Sequence, residues 1–260
     1  MTTSPWLTSF LPRPNARVRL FCFSYAGGGG AVYRPFALAL PDTVEALAVL
    51  LPGRERRLRE PALASISAIV EGLVPALRDL LDRPFAFFGH SMGALVAFEL
   101  ARALPAYGLP SPGHLMISAR RAPHLREPDP PLSHLPDDAF IAAIDQRYGG
   151  IPAEILQHRD VLELLLPALR ADMAAIENHR HEPGPTLPCP IAMFGGHDDT
   201  RAGPDLLAPW QEQTQARTLM RQFAGGHFYF NDAGVRGQLI AEMTRLLQPL
   251  LAPPCPVGAP

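Results

Sequence analysis

Phe85-Ala86-Phe87-Phe88-Gly89-His90-Ser91-Met92-Gly93-Ala94-Leu95-Val96-Ala97-Phe98-Glu99-Leu100-Ala101-Arg102 changes period in its middle. Phe85 to Phe88 is a short, wholly apolar run, the pattern of a strand covered on both faces. Ala94 to Arg102 is built from good helix formers. The five residues between, Gly89-His90-Ser91-Met92-Gly93, match G-x-S-x-G, which places a serine at the tip of a very tight strand-to-helix turn. Glycines on either side let strand and helix approach closely, because they carry no Cβ. Ser91 is therefore the candidate nucleophile.

The same strand-then-helix rhythm extends outward in both directions. Apolar runs predict strands at Val18 to Ser24, Val44 to Leu50, Phe85 to Phe88, His114 to Ser118, Pro190 to Phe194 and Thr218 to Phe223. Helical patterns follow at about residues 32–40, 65–81, 92–104, 204–215 and 233–250, with Pro75 expected to kink or split the second. Alternating βα units imply a mostly parallel central sheet flanked by helices. With a nucleophile elbow on one strand, the class is α/β, specifically the α/β-hydrolase fold. Residues 121–188 break the rhythm. They open on Pro123, Pro128, Pro130, Pro131 and Pro136, then turn helical from Asp137 to about Gln146 and from Ala153 to Asn178, with a break expected at Pro167. The expected organisation is a core of residues 1–120 and 189–251, a helical lid insertion over 121–188, and a disordered tail over 252–260.

Serine needs a base, and the base an orienting acid, in the chain order Ser, Asp or Glu, His. Beyond the strand at 190–194 stand two histidines, His197 and His227. His227, in Ala224-Gly225-Gly226-His227-Phe228, has acidic candidates between itself and that strand, so it is the expected base. The acid is Asp198 or Asp199, in Phe194-Gly195-Gly196-His197-Asp198-Asp199 at a strand end. Asp172 and Asp205 fit less well because both fall in helical patterns. Backbone N–H groups of Met92 and Ala26 are the expected oxyanion donors, Ala26 lying in the glycine-rich run Ser24-Tyr25-Ala26-Gly27-Gly28-Gly29-Gly30 after the first strand. That run lacks the Lys-Ser/Thr or the downstream acid of a nucleotide-binding loop.

Composition narrows the class of partner. The 260 residues are 47% apolar and 18% charged, with 23 basic and 25 acidic side chains giving a net charge of −2. That offers no electrostatic reason for a nucleic-acid or anionic-membrane partner. Cys22, Cys189 and Cys255 are too few and too far apart for a metal site or a disulfide framework, so reduced thiols are expected, Cys22 and Cys189 as small buried hydrophobes. Neither a signal peptide nor a spanning helix is apparent, and a soluble, cytoplasmic chain is expected. No cofactor or metal is called for; His179-Arg180-His181-Glu182 lacks the acidic ligands of a metallohydrolase. Arg54, Arg56, Arg57 and Arg59, with Arg120 and Arg121, read as a solvated face or ion pairs, or else as a patch steering an acidic partner.

Five segments together resemble the type II, or editing, thioesterases that accompany polyketide and nonribosomal peptide synthetases. They are Leu20 to Gly28, Leu51-Pro52-Gly53-Arg54-Glu55-Arg56-Arg57, Gly89 to Ala94, Ser118-Ala119-Arg120-Arg121-Ala122-Pro123 and Gly225-Gly226-His227-Phe228. The resemblance spans about residues 18 to 250. Family members carry the acid in a Gly-Gly-Asp-x-Asp-like run, whose second acid matches Asp199 while His197 replaces the first; they often have His where Tyr25 stands. The resemblance implies hydrolysis of acyl thioesters from the phosphopantetheine arm of acyl or peptidyl carrier proteins, by an enzyme expected to be a monomer. Alternatives are a carboxylester or acyl-CoA hydrolase on the same fold, a releasing cyclase, and a non-catalytic scaffold.

Overall fold

The computed structural model describes residues 4–149, 151 and 157–252. Seven strands form one sheet in the order β1-β3-β2-β4-β5-β6-β7. They are β1 (Leu7–Thr8), β2 (Val18–Phe23), β3 (Val44–Val49), β4 (Phe85–His90), β5 (His114–Ser118), β6 (Ile191–Gly196) and β7 (Thr218–Phe223). All neighbours are parallel except β1, which runs antiparallel against β3 with Leu7 opposite Val49. Six strands fall where the apolar runs placed them. At two residues, β1 is too short to show an alternating pattern, and nothing in the sequence announced it.

Because side chains alternate across a strand, a buried parallel sheet must be apolar on both faces. Phe21, Phe23, Phe85, Phe87, Leu115, Ile117, Ile191 and Met193 point to one core. Their neighbours Leu20, Cys22, Ala86, Phe88, Met116, Ala192 and Phe194 point to the other. The first core is covered by α2 (Ile66–Leu77) and α3 (Met92–Ala103), the second by α1 (Arg34–Ala39) and by the C-terminal helix Ala233–Leu247. β7 departs from expectation: Thr218, Met220 and Arg221 are exposed, because it is an edge strand that other elements do not cover fully.

Between β5 and β6 the described residues form α4 (Asp137–Tyr148) and α5 (Arg159–Asn178). The start proposed for the second helix, residues 153–156, lies outside the described residues, as does the tail from 253, with Cys255. The break expected at Pro167 is absent, and the helix expected over 65–81 divides just past Pro75 rather than at it. Pro167 sits inside a continuous α5, and α2 runs through Pro75 to Leu77 before a 3-10 turn. In both helices the proline and the residue four before it, Glu163 or Glu71, are exposed, so water can satisfy the carbonyl that loses its donor. The single helix expected over 204–215 is instead a short α6 (Pro204–Leu207) followed by a 3-10 helix, Ala208–Gln213. Pro209 has no N–H for the bond an α-helix would need there. The last helix, α7, is Ala233–Leu247, opened by the Asp232 carboxylate accepting from Val235 N–H at 2.9 Å.

Candidate active site

The carboxyl ends of β2, β4, β5 and β6 converge on Ser91. β4 ends at His90 and α3 begins at Met92, so Ser91 alone makes the turn, at φ 54° and ψ −114°. A non-glycine residue held there is strained, and the surroundings must enforce it. Ser91 N–H donates to Ser118 O on β5 at 2.8 Å. The flanking glycines are sterically required: a Cβ on Gly89 would lie 2.2 Å from Gly93 O, and one on Gly93 would lie 2.1 Å from Phe23 O. Strand, helix and neighbouring strand thus meet with no room for a methyl group.

His227 lies in the loop after β7 and is the link between two other side chains. Its Nε2 is 3.1 Å from Ser91 Oγ, and its Nδ1 is 2.9 Å from Asp199 Oδ2. The three are nearly closed to solvent, Ser91 at 8%, His227 at 7% and Asp199 at 4% exposure. Asp198, the neighbour that the sequence could not separate from Asp199, is exposed, and so is His197. Asp199 keeps its second oxygen occupied by the N–H of Arg201 at 2.8 Å, an Asx-type turn at the end of β6. Arg201 itself went unremarked in the sequence. Its guanidinium pairs with Asp129 and with Glu127, the latter at 3.3 Å, and sits 5.7 Å from the Tyr148 ring centroid. Tyr148, at the end of α4, lies 5.4 Å from the His227 ring, so the 121–188 segment reaches the site directly.

Beneath this trio is a second histidine. His90 is fully buried among Tyr25, Phe228, Tyr229 and Phe230, with its Nδ1 2.9 Å from Ser118 Oγ, which in turn lies 2.7 Å from the Tyr229 hydroxyl. Burial, reinforced by His227, pushes its pKa well below the ordinary imidazole value. Held on Ser118 Oγ, His90 supports the elbow from below.

The two expected backbone donors come from opposite sides. Met92 opens α3, and a helix leaves its first N–H groups without intrahelical partners. Ala26 N–H donates to no acceptor among the described residues. It lies in a turn closed by Gly28 N–H donating to Tyr25 O at 2.9 Å, with Gly27 at φ 76°. Asp172, the poorer acid candidate on its helical pattern, instead accepts from Gly27 N–H at 2.7 Å and pairs with Arg54.

Most of the arginines are consumed internally. Arg54 and Arg57 are buried, Arg57 pairing with Glu60 at 2.6 Å and stacking over Trp6. Arg120 and Arg121 share Glu127, at 3.1 and 3.5 Å. The ion-pair reading describes these four; Arg59 is exposed. Cys22 and Cys189 are buried free thiols, and burial pushes the Cys189 pKa up to about 11. Among the described residues no group of three or more His, Cys, Asp or Glu side chains is arranged to hold a metal ion. His179 of the His-Arg-His-Glu run faces Glu99 at 3.3 Å. A broad groove of about 750 Å³ runs between α2, α3 and residues 178–188, and none of the trio lines it.

A hydroxyl, an imidazole and a carboxylate assembled at the strand ends of a mostly parallel sheet define the α/β-hydrolase class. Within that class the chain belongs to the thioesterase domain family, which it matches over residues 18–246. It is 41% identical over 228 residues to the thioesterase PikA5 of Streptomyces venezuelae, covering 87% of this chain and 80% of that one. The solved structure of the RedJ thioesterase from the prodiginine pathway of Streptomyces coelicolor superposes with a TM-score of 0.84 at 36% identity, covering 91% of this chain and 88% of RedJ. BorB, a type II thioesterase from the borrelidin biosynthetic cluster, superposes at 0.83 and 34% identity, covering 95% and 97%. No helix among the described residues is long and apolar enough to cross a membrane.

Proposed function

We propose that this thioesterase releases acyl groups from the phosphopantetheine arm of acyl or peptidyl carrier proteins, clearing aberrant or stalled chains from a biosynthetic assembly line. The observation that carries the reading is the His227 bridge between Ser91 Oγ and Asp199, in a chain of the thioesterase family. Its likeness to BorB, a type II thioesterase, supports the carrier-bound substrate. The enzyme acts as a monomer, with residues 121–188 as a lid.

Ser91 Oγ attacks the thioester carbonyl while His227 Nε2 takes its proton. Asp199 holds the Nδ1–H and stabilises the imidazolium as it forms. The N–H groups of Ala26 and Met92 receive the developing oxyanion. Collapse of the tetrahedral intermediate breaks the C–S bond, and the leaving sulfur takes the proton from His227. Water, deprotonated by the now neutral His227, then attacks the acyl-Ser91 ester and releases the carboxylic acid. Thiolate is a good leaving group, so the step demands little general acid strength.

The test is an intact-mass assay on carrier proteins loaded with a range of acyl chains, with Ser91→Ala as control and matched p-nitrophenyl esters and acyl-CoA alongside. Loss of the acyl mass with wild type and its retention with Ser91→Ala is the expected result. A large preference for the free ester or for acyl-CoA over every carrier would overturn the carrier reading.

A further inference from the structure

Three parts of the chain far apart in sequence meet on one carboxylate beside the glycine-rich turn. Asp172, on α5, accepts from Gly27 N–H at 2.7 Å. Arg54, in the Pro52-Gly53-Arg54 segment after β3, grips the same carboxylate with both ends of its fork, at 2.7 and 2.8 Å. It also donates to Gly28 O at 3.1 Å. Both side chains are almost wholly buried, at 5% and 1% exposure. The next residue, Glu55, reinforces the contact by accepting from Ala31 N–H at 3.0 Å. One helical turn before Asp172, Leu169 packs on Gly27, where a Cβ would lie 3.0 Å from its Cδ1.

The turn so gripped has Tyr25 O accepting from Gly28 N–H and a left-handed Gly27 at its third position, as a type II turn requires. Types I and II differ by a flip of the central peptide, here the one joining Ala26 to Gly27, whose N–H is the atom held by Asp172. A buried charged acceptor on that N–H selects one orientation of the Ala26–Gly27 peptide, and it reaches Ala26 N–H, which belongs to the preceding peptide, by fixing where the whole turn sits rather than by the flip itself. Arg54 holds the acceptor in place and fixes the following carbonyl as well.

We propose that Arg54 and Asp172 are positioning residues that lock the Tyr25–Gly28 turn so that Ala26 N–H is aimed at the oxyanion. Because Asp172 rides on α5, the oxyanion site is complete only while α5 is seated on the turn. This rests on Ala26 being an oxyanion donor to the Ser91 reaction. Both side chains are spent on the turn and on each other, so the effect belongs to the transition state rather than to ground-state binding.

The experiment measures kcat and KM on an acyl-N-acetylcysteamine thioester for wild type, Asp172→Ala, Asp172→Asn and Arg54→Lys, each checked for folding by circular dichroism. Inhibition by an alkyl trifluoromethyl ketone, whose serine adduct carries an oxyanion, is measured in parallel. The loss expected in Asp172→Ala is about 100-fold in kcat with KM changed less than about threefold, and ketone affinity falling in step. Asp172→Asn keeps an oxygen for Gly27 N–H and recovers part of that loss. If Asp172→Ala does not fold, Asp172→Asn and Arg54→Lys carry the test, with losses of about tenfold in kcat expected. Folded variants with wild-type kcat, losses confined to KM or melting temperature, or unchanged ketone affinity would each overturn the proposal. A wild-type chain no more active than Ser91→Ala overturns the underlying site reading instead, a result recognisable before any variant of the clamp is compared.

Discussion

Asp198 and Asp199 carry the same side chain on adjacent residues and meet opposite surroundings. Asp199 is buried, with one oxygen toward His227 Nδ1 and the other taken by Arg201 N–H. Asp198 faces solvent. Replacing Asp199 by Ala is expected to lower kcat about 10⁴-fold, the scale seen when a triad loses its orienting acid, while Asp198→Ala stays within about threefold of wild type. Steady-state kinetics on one thioester decide it, and equal effects in the two variants would remove the assignment. Ser91 and His227 were legible from residue type and order, because an elbow and a strand-end loop each leave a local pattern. The choice between the two aspartates was not legible from local physics, because it depends on how the chain turns after Gly196. Family likeness alone pointed to Asp199. Arg54 and Asp172 were harder still: their pairing spans 118 residues, and nothing local to either marks the other.

At the scale of elements, chemistry is set by how closely β4, α3 and β2 pack. Gly93, on the first turn of α3, lies against the backbone of Phe23 at the end of β2, so the helix cannot carry a side chain there without moving off the sheet. Gly93→Ala is expected to lower stability by about 3 kcal/mol and to displace Met92 N–H from the site, with activity lost in whatever fraction still folds. Thermal melts and kinetics on the purified variant test this; a stable, active Gly93→Ala would mean that the approach is looser than the backbone distances imply. The sheet itself was legible because buried parallel strands are apolar on both faces, and that pattern survives in Leu20 to Phe23 and Phe85 to Phe88 alike. Proline was the harder residue to read. Pro75 and Pro167 stand on solvent-facing sides of α2 and α5, where the lost bond falls on an exposed turn and the helix continues. Pro209 stops an α-helix that composition alone would have prolonged. A proline's effect depends on which side of the helix it occupies, information that arrives only with the packing.

Across the whole molecule, two buried imidazoles tie stability to pH. His114 opens β5, where burial, with a smaller contribution from the charge of Arg245, pushes its pKa down to about 4. His90 is shifted the same way. In the unfolded chain an imidazole titrates near 6.5. Between those values the unfolded state binds a proton that the folded state refuses, so the fold is stable above about 6.5 and loses stability as pH falls toward about 4. For His114 alone the linkage amounts to about 2 kcal/mol between pH 7.5 and pH 5, or roughly 4–8 °C in melting temperature for a domain of this size. The surface carboxylates with lowered pKa values, Glu60, Asp82, Asp129 and Glu242, act at more acid pH and leave this window to the histidines. Melting temperatures at pH 7.5 and 5 are therefore expected to differ by several degrees in wild type and by distinctly less in His114→Leu, with the remainder coming from His90 and from His181, whose pKa burial also lowers. The same difference in both proteins would show that His114 accepts a proton without disturbing the strand it opens. The two histidines sit on different parts of the same sheet, one at the foot of β5 and the other directly beneath Ser91. Acidification should therefore loosen the strand packing that holds the elbow. Activity measured after return to pH 7.5 should then recover fully as long as the chain has not aggregated.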